Sequence, residues 1–270
     1  MKKHTQPHKR LLGLGVIVVI MAISGFPSLE AALTPQTMRG SVEKGKPWEP
    51  LTTQTTLQSG DQIRTAHDAE TSLVSDDGSV FYLSEGTQLA VRELQYTPSQ
   101  KTRVSRLQLL WGTLTAKAST LNFKKDVFEV ETNTVLTAFQ RSSARFLRNE
   151  QGTEINPIEG TFFLTTSSTL PTGQRVLIKI GIQEIEMGPA STLKIQITAG
   201  RKIVILQMQG TVTYNGQQVE EGQEIGIEAG GLQLLREGTG EQEQEEFEID
   251  PDTFTLPPDA ELPAGSDTIP

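Results

Sequence analysis

The sequence predicts an all-β protein, a stacked or rolled sheet of solenoid or sandwich type, and three observations lead there. Short apolar-alternating runs recur, as in residues 127–132 (VFEVET), with the period of two expected of a strand that buries one face. Turn signals separate the runs. Gly60-Asp61 opens one, and Asp77-Gly78 opens the next by supplying the positive backbone angles of a tight hairpin. Helical spacing is missing from the body of the chain, whereas residues 176–182 (VLIKIGI) and 202–208 (KIVILQM) are rich in β-branched side chains.

Residues 57–65 (LQSGDQIRT) read as a turn and a strand, with the Asp61 carboxylate accepting backbone N–H groups of its own turn. Residues 76–83 (DDGSVFYL) read as a hairpin turn and a strand; the paired aspartates lack the downstream ligands of a calcium loop. Residues 106–116 (RLQLLWGTLTA) are strand, glycine, strand. Alternation there and in 127–132 places Leu109, Trp111, Phe128 and Val130 in core or half-buried positions. Echoes link the two halves of the body. Residues 80–91 resemble 184–195, residues 109–115 resemble 207–213, and residues 57–63 resemble 219–225. The third pair comes first in one half and last in the other. Both a degenerate repeat and a shared strand-turn grammar account for this.

The N-terminus carries Lys2, Lys3, Lys9 and Arg10, then an apolar run of 16 residues from Leu11 to Phe26, then Ala31 and Ala32. This is the pattern of a secretory signal peptide over residues 1–32, or of an uncleaved anchor, since a span needs about 17 to 25 residues. With no cysteine, neither a lipid anchor nor a disulfide is available. From Glu237 to Pro270 there are 11 acidic residues, no basic one and five prolines, which predicts a disordered acidic tail. The net charge of −9 therefore resides in the tail, and the nearly neutral body argues against nucleic acid. The expected organisation is 1–32 leader or anchor, 37–154 first β domain, 155–236 second β region and 237–270 tail.

The order G-S-V (40–42), Trp48, Leu51, L-x-x-G-D-x-I-x-T (57–65), D-G-S (77–79), T-x-L (87–89), L-x-L-x-x-G-x-L-x-A (107–116) and F-x-V-x-T (128–132) resembles the FecR family, over roughly residues 37–146. That family is named after the periplasmic sensor domain of the iron-citrate regulator. The resemblance implies a stacked β structure without a deep enclosed pocket. It also implies an Arg-Gly-Thr turn after the F-x-V-x-T strand, where this chain has Gln140-Arg-Ser-Ser143. Signalling members carry a cytoplasmic anti-sigma helical domain before a membrane span. Only ten residues precede the apolar run here, so a chain without that domain is expected.

Candidate chemistry is sparse. His67 alone among the three histidines lies in the body, and neighbouring residues on a strand point to opposite faces, so His67-Asp68 reads as a solvated loop. No phosphate loop and no cofactor or metal signature is present, and the expectation is a non-enzyme. Between Arg92 and Arg148 lie 10 basic and 4 acidic residues. This run is either a solvated surface or a face for an anionic envelope component or the acidic tail. The expected binding face gathers Trp48, Tyr82, Arg103, Arg106, Lys124, Lys125, Arg141 and Arg145.

The functional expectation is an exported binding or sensor module of the bacterial envelope, periplasmic or secreted, with an envelope protein or polysaccharide as partner. Membrane contact would run only through an uncleaved N-terminal segment. The alternative is an envelope scaffold that binds polysaccharide or peptidoglycan. Exposed, clustered Trp48, Tyr82 and Trp111 would favour sugar binding. Cleavage near Ala31 or Ala32 is the outcome expected from N-terminal sequencing of the fractionated protein; an intact Met1 in the membrane fraction would mark an anchor instead.

Overall fold

The computed structural model describes residues 31–45, 47–100, 102–119, 125–198, 202–228 and 231–236, with backbone only for Gln100, Lys125, Gln140, Glu228 and 231–236. Most of the expected leader and the whole acidic tail lie outside these residues. The described residues form nineteen strands, numbered β1–β19 in chain order, and one short 3-10 turn at Pro98–Gln100. The protein is all-β, as its alternation predicts.

Hydrogen bonds join the strands into one continuous sheet that folds over into two layers. The first layer contains β1 (Leu33–Arg39), β5 (Glu70–Ser75) and β6 (Val80–Leu83), then the second halves of β8 (Thr102–Lys117) and β10 (Val135–Asn149). It continues through the start of β11 (Gly152–Thr166) to β12 (Arg175–Ile180), β13 (Gln183–Met187), β16 (Val212–Tyr214) and β17 (Gln217–Val219). The second layer holds β3 (Glu49–Pro50), β2 (Val42–Lys44), β4 (Gln62–Thr65), β7 (Gln88–Thr97) and the first halves of β8 and β10 around β9 (Lys125–Glu131). The end of β11 then leads to β14 (Thr192–Ile197), β15 (Ile203–Gln209), β18 (Glu224–Glu228) and β19 (Gly231–Arg236). β11 carries the chain through residue 155 with its hydrogen bonding unbroken.

Three strands belong to both layers, and each bends at a position that departs from β geometry. β8 bends at Gly112 (φ +88°), β10 at Arg141 (φ +47°) and β11 at Gly160 (φ +99°). Left-handed backbone alone does not explain the glycines. A side chain on Gly112 would begin 2.6 Å from Thr87 Cα, and one on Gly160 would begin 2.6 Å from Ser142 Cα. Each glycine thus lies against the residue that follows a left-handed one: Thr87 after Gly86 (φ +60°), Ser142 after Arg141. Gly40 against Asp68-Ala69 and Gly210 against Ala190-Ser191 repeat this approach. Arg141 thus takes the left-handed conformation in the turn where the resemblance implies Arg-Gly-Thr, and the corner is made with a strained residue.

The sequence echoes have hydrogen-bonded counterparts. Thr87 Oγ1 accepts from Thr113 N (2.9 Å) and donates to Thr113 O (3.0 Å), while Thr87 N donates to Thr65 Oγ1 (2.9 Å). Ser191 Oγ accepts from Thr211 N (2.9 Å) and donates to Thr211 O (2.9 Å), while Ser191 N donates to Thr166 Oγ1 (2.8 Å). The third echo is matched as well. Gln58 N donates to Asp61 Oδ2 (2.7 Å), and Glu220 N donates to Gln223 Oε1 (2.9 Å), each closing a turn beside a glycine.

A single core fills the space between layers. In the first layer Leu83, Leu114, Phe146, Ile155, Ile178 and Ile185 sit opposite one another on successive strands, all fully buried. Phe81 of the first layer stacks on Phe128 of the second at 5.5 Å, and Phe139 packs edge-on against Phe128, Phe146 and Phe162. Burying each such ring contributes about 1.5–3 kcal/mol. Leu109, Phe128 and Val130 are buried as the alternation predicts, but Trp111 is 43% exposed. The cause is a bulge: Leu89 faces Leu109 while Gln88 faces Trp111, so Leu110 is an extra residue and the face reverses. The hairpin at Asp77-Gly78 also differs, since only Gly78 (φ +83°) takes a positive angle.

The corners predict opposite responses to two substitutions. Gly112→Ala should destabilise by at least about 1–2 kcal/mol. Arg141→Gly should stabilise by up to about 1 kcal/mol, the left-handed strain removed less the flexibility added to the unfolded chain. Urea midpoints measure both, and a lower midpoint for Arg141→Gly would show that the arginine side chain outweighs its backbone strain.

Candidate functional site

The residues expected on one binding face occupy four different places. Tyr82 and Arg145 share the outer surface of the first layer, in a row with Ser72, Thr115 and Asn156. Tyr82 Oη donates to Glu70, and this bond, then burial, raises the phenol pKa. Arg106 and Trp48 belong to the second layer. Arg141 is exposed at the β10 corner, and Lys124 and the side chain of Lys125 lie outside the described residues. Arg103 is inside the protein.

Arg103 is the largest correction to the expected face. It has the inward parity of Ser105, Leu107 and Leu109, and its side chain is 1% exposed. Its guanidinium pairs with Asp126 of β9 through two bonds, donates 2.9 Å to Asp77 Oδ2 from the β5–β6 turn, and donates 2.6 Å to Ser119 Oγ. Asp77 also accepts from Ser79 N (2.9 Å) and Ser79 Oγ (2.7 Å). The group therefore ties the two layers together at one end of the core, beside the Phe128 ring. Burial opposes ionisation of Asp77, but the Ser79 donors and Arg103 outweigh it and hold its carboxyl below the ordinary range. Asp126 goes the other way: burial outweighs the pull of Arg103 and raises it.

Carboxylates neutralise Arg106 as well as Arg103, while two other arginines of the basic run bond to neutral acceptors. Arg106 lies between Glu93 (2.6 Å) and Glu129 (2.9 Å) on the outer surface of the second layer. Arg92 donates to Gln108 Oε1 (2.5 Å), and Arg148 donates to Leu110 O inside the β8 corner. The carboxylate partners of Arg106 come from neighbouring strands, so strand register and not spacing along the chain decides which charges meet. His67 Nδ1 lies 3.0 Å from Asp68 Oδ2 and 3.7 Å from Glu85 Oε2, with their ligand atoms within 4.8 Å of one another. The bond to Asp68 and the two negative charges raise its pKa, which favours an imidazolium held by carboxylates over a neutral metal-ligating ring.

Where polar and aromatic groups do converge is the outer surface of β2, β4, β7 and β8. Glu43, Arg64, Gln88 and Trp111 sit opposite one another in that order. Trp48 covers Arg64, with the guanidinium carbon 4.5 Å from its ring centroid, and Arg64 pairs with Glu43 at 2.5 Å. An open depression of about 620 Å³ adjoins this row, lined by Lys44, Pro47, Glu49, Pro50, Asp61 and Gln62 among others. Arg64 and Gln88 were not singled out from sequence. The signal available was their outward parity beside the buried Ile63 and Leu89.

The buried bridge has a pH signature. Asp77→Asn should lower stability at neutral pH by about 1–3 kcal/mol. Because the folded pKa of Asp77 is depressed, its contribution is present above the unfolded pKa and lost as pH falls through the folded one. Thermal melts should therefore show a deficit at pH 7 that closes in acid; an equal deficit at all pH values would deny the charge any part.

The family model described as FecR protein matches residues 61–162, from the turn before β4 to just past the β11 corner. No curated protein and no solved structure matches the chain. The matched stretch contains β8, β10 and the corner of β11, the Arg103 bridge and most of the polar row. The chain thus carries a FecR-like domain over residues 61–162.

Proposed function

We propose that this chain is a non-catalytic binding and sensor module of the bacterial cell envelope. The observation that carries the reading is the FecR-like domain at residues 61–162, built as a two-layer roll whose outer rows are open to contact. The buried Arg103 is held between Asp77 and Asp126 and braces the two layers, an arrangement suited to recognition by a rigid surface. The basic N-terminal run followed by an apolar segment fits export, with the body periplasmic or secreted, or held at the inner membrane by that segment. The sensor unit corresponds to residues 37–154, and residues 155–236 extend the same roll.

A scaffold role is the second reading. It is favoured by the recurrence of one hydrogen-bond set at Thr65–Thr87–Thr113 and Thr166–Ser191–Thr211, which suggests a stackable unit. Capture from envelope extract on the immobilised full chain separates the two. A discrete partner, competed by free chain, is expected for a sensor module. Recovery of nothing beyond what a blank matrix retains would remove that reading.

A further inference from the structure

The row beside the depression has a composition unlike the other outer surfaces. Trp111 lies at one end, Trp48 covers Arg64 of β4, and Gln88 of β7 lies between Arg64 and Trp111. Two strand spacings separate the Arg64 and Trp111 positions, about 10 Å. Trp111 is 43% exposed because of the β8 bulge, so a backbone irregularity turns an otherwise inward ring toward solvent. One strand position further along, Gln62 faces Ala90, which faces Gln108. Gln62 also lines the depression, and its Oε1 is buried with no hydrogen-bond partner. A buried acceptor left unpaired is costly, and a donor from a ligand would satisfy it.

The charges of this region decide what kind of ligand fits. Lys44 pairs with Asp61 at 2.9 Å and Arg64 with Glu43 at 2.5 Å, while the exposed Glu49 adds a carboxylate to the depression. Among the described residues that line the depression or cross the row, Lys44 and Arg64 are each paired with a carboxylate, so an anion meets Glu49 as a repelling group. Flat apolar ring faces, amide groups and paired ions instead suit a molecule with apolar faces and many hydroxyls. We propose that this surface is a glycan-binding site for an extended, uncharged, hydroxyl-rich polysaccharide, which enters at the depression and crosses Arg64 and Gln88 to stack on Trp111. The inference rests on the binding-module reading and names its ligand class.

The chain has only two tryptophans, and both are in the site, so their emission reports on it alone. The full-length protein is titrated with chitotetraose, with cellotetraose and with tetragalacturonate as the charged counterpart. Saturable change in emission with a neutral tetrasaccharide is expected. Trp111→Ala should weaken that binding by about tenfold or more, followed by calorimetry, with an unchanged melting temperature. Gln88→Ala should weaken it less. Equal affinity of Trp111→Ala, or binding of tetragalacturonate alone, would overturn the site. No binding of any probe by a chain that still captures an envelope partner would overturn the glycan reading and leave the binding module standing. Failure of both would overturn both.

Discussion

Everything in this fold depends on three long strands being able to leave one layer and enter the other. β8, β10 and β11 are 16, 15 and 15 residues long, well beyond what one layer of a small sheet needs. They turn where a glycine's bare backbone lies against a residue that follows a left-handed one. The close approach permits Thr87 Oγ1 to bond both N and O of Thr113, so the backbone groups displaced at the corner find partners. Without that approach the layers could not share strands, and no continuous backbone would tie the two faces of the core together.

The Arg103 bridge complements the corners. They join the layers along the crossing strands; the bridge joins them through side chains at one open end. A buried guanidinium with two carboxylates is no efficient source of stability, since desolvation consumes much of the Coulombic gain. Its value here is positional, because Asp77, Asp126 and Ser119 come from three different segments and only one relative placement satisfies them all. The Asp77 turn is consequently held by its charge partner as well as by its backbone.

Rigidity of this sort suits a surface that recognises by shape. The outer rows then differ by what neutralises them. Glu93, Arg106 and Glu129 form a closed set of ions, whereas the row from Glu43 to Trp111 ends in a ring that is 43% exposed. Within the basic run of the sequence, Arg103 and Arg106 are thus taken up by local carboxylate pairs, while Arg141 and Arg145 stay exposed.

Alternation and turn residues by themselves determined the all-β class, the turns at Asp61 and Asp77, and the burial of Leu109, Phe128 and Val130, and the order of short motifs carried the FecR resemblance. These are local properties, carried by a period of two and by residues with strong turn preferences. The echoes between halves were also legible, as matched strands around Gly-Thr pairs. Tertiary structure alone decided the rest. Arg103 looked like a surface cation because its partners, Asp77 and Asp126, are 26 and 23 residues away along the chain. Trp111 looked inward because a one-residue bulge, invisible to alternation, reverses the face of everything beyond it. Which faces meet and which charges cancel depends on strand register, and register is fixed by contacts between segments that no local pattern encodes.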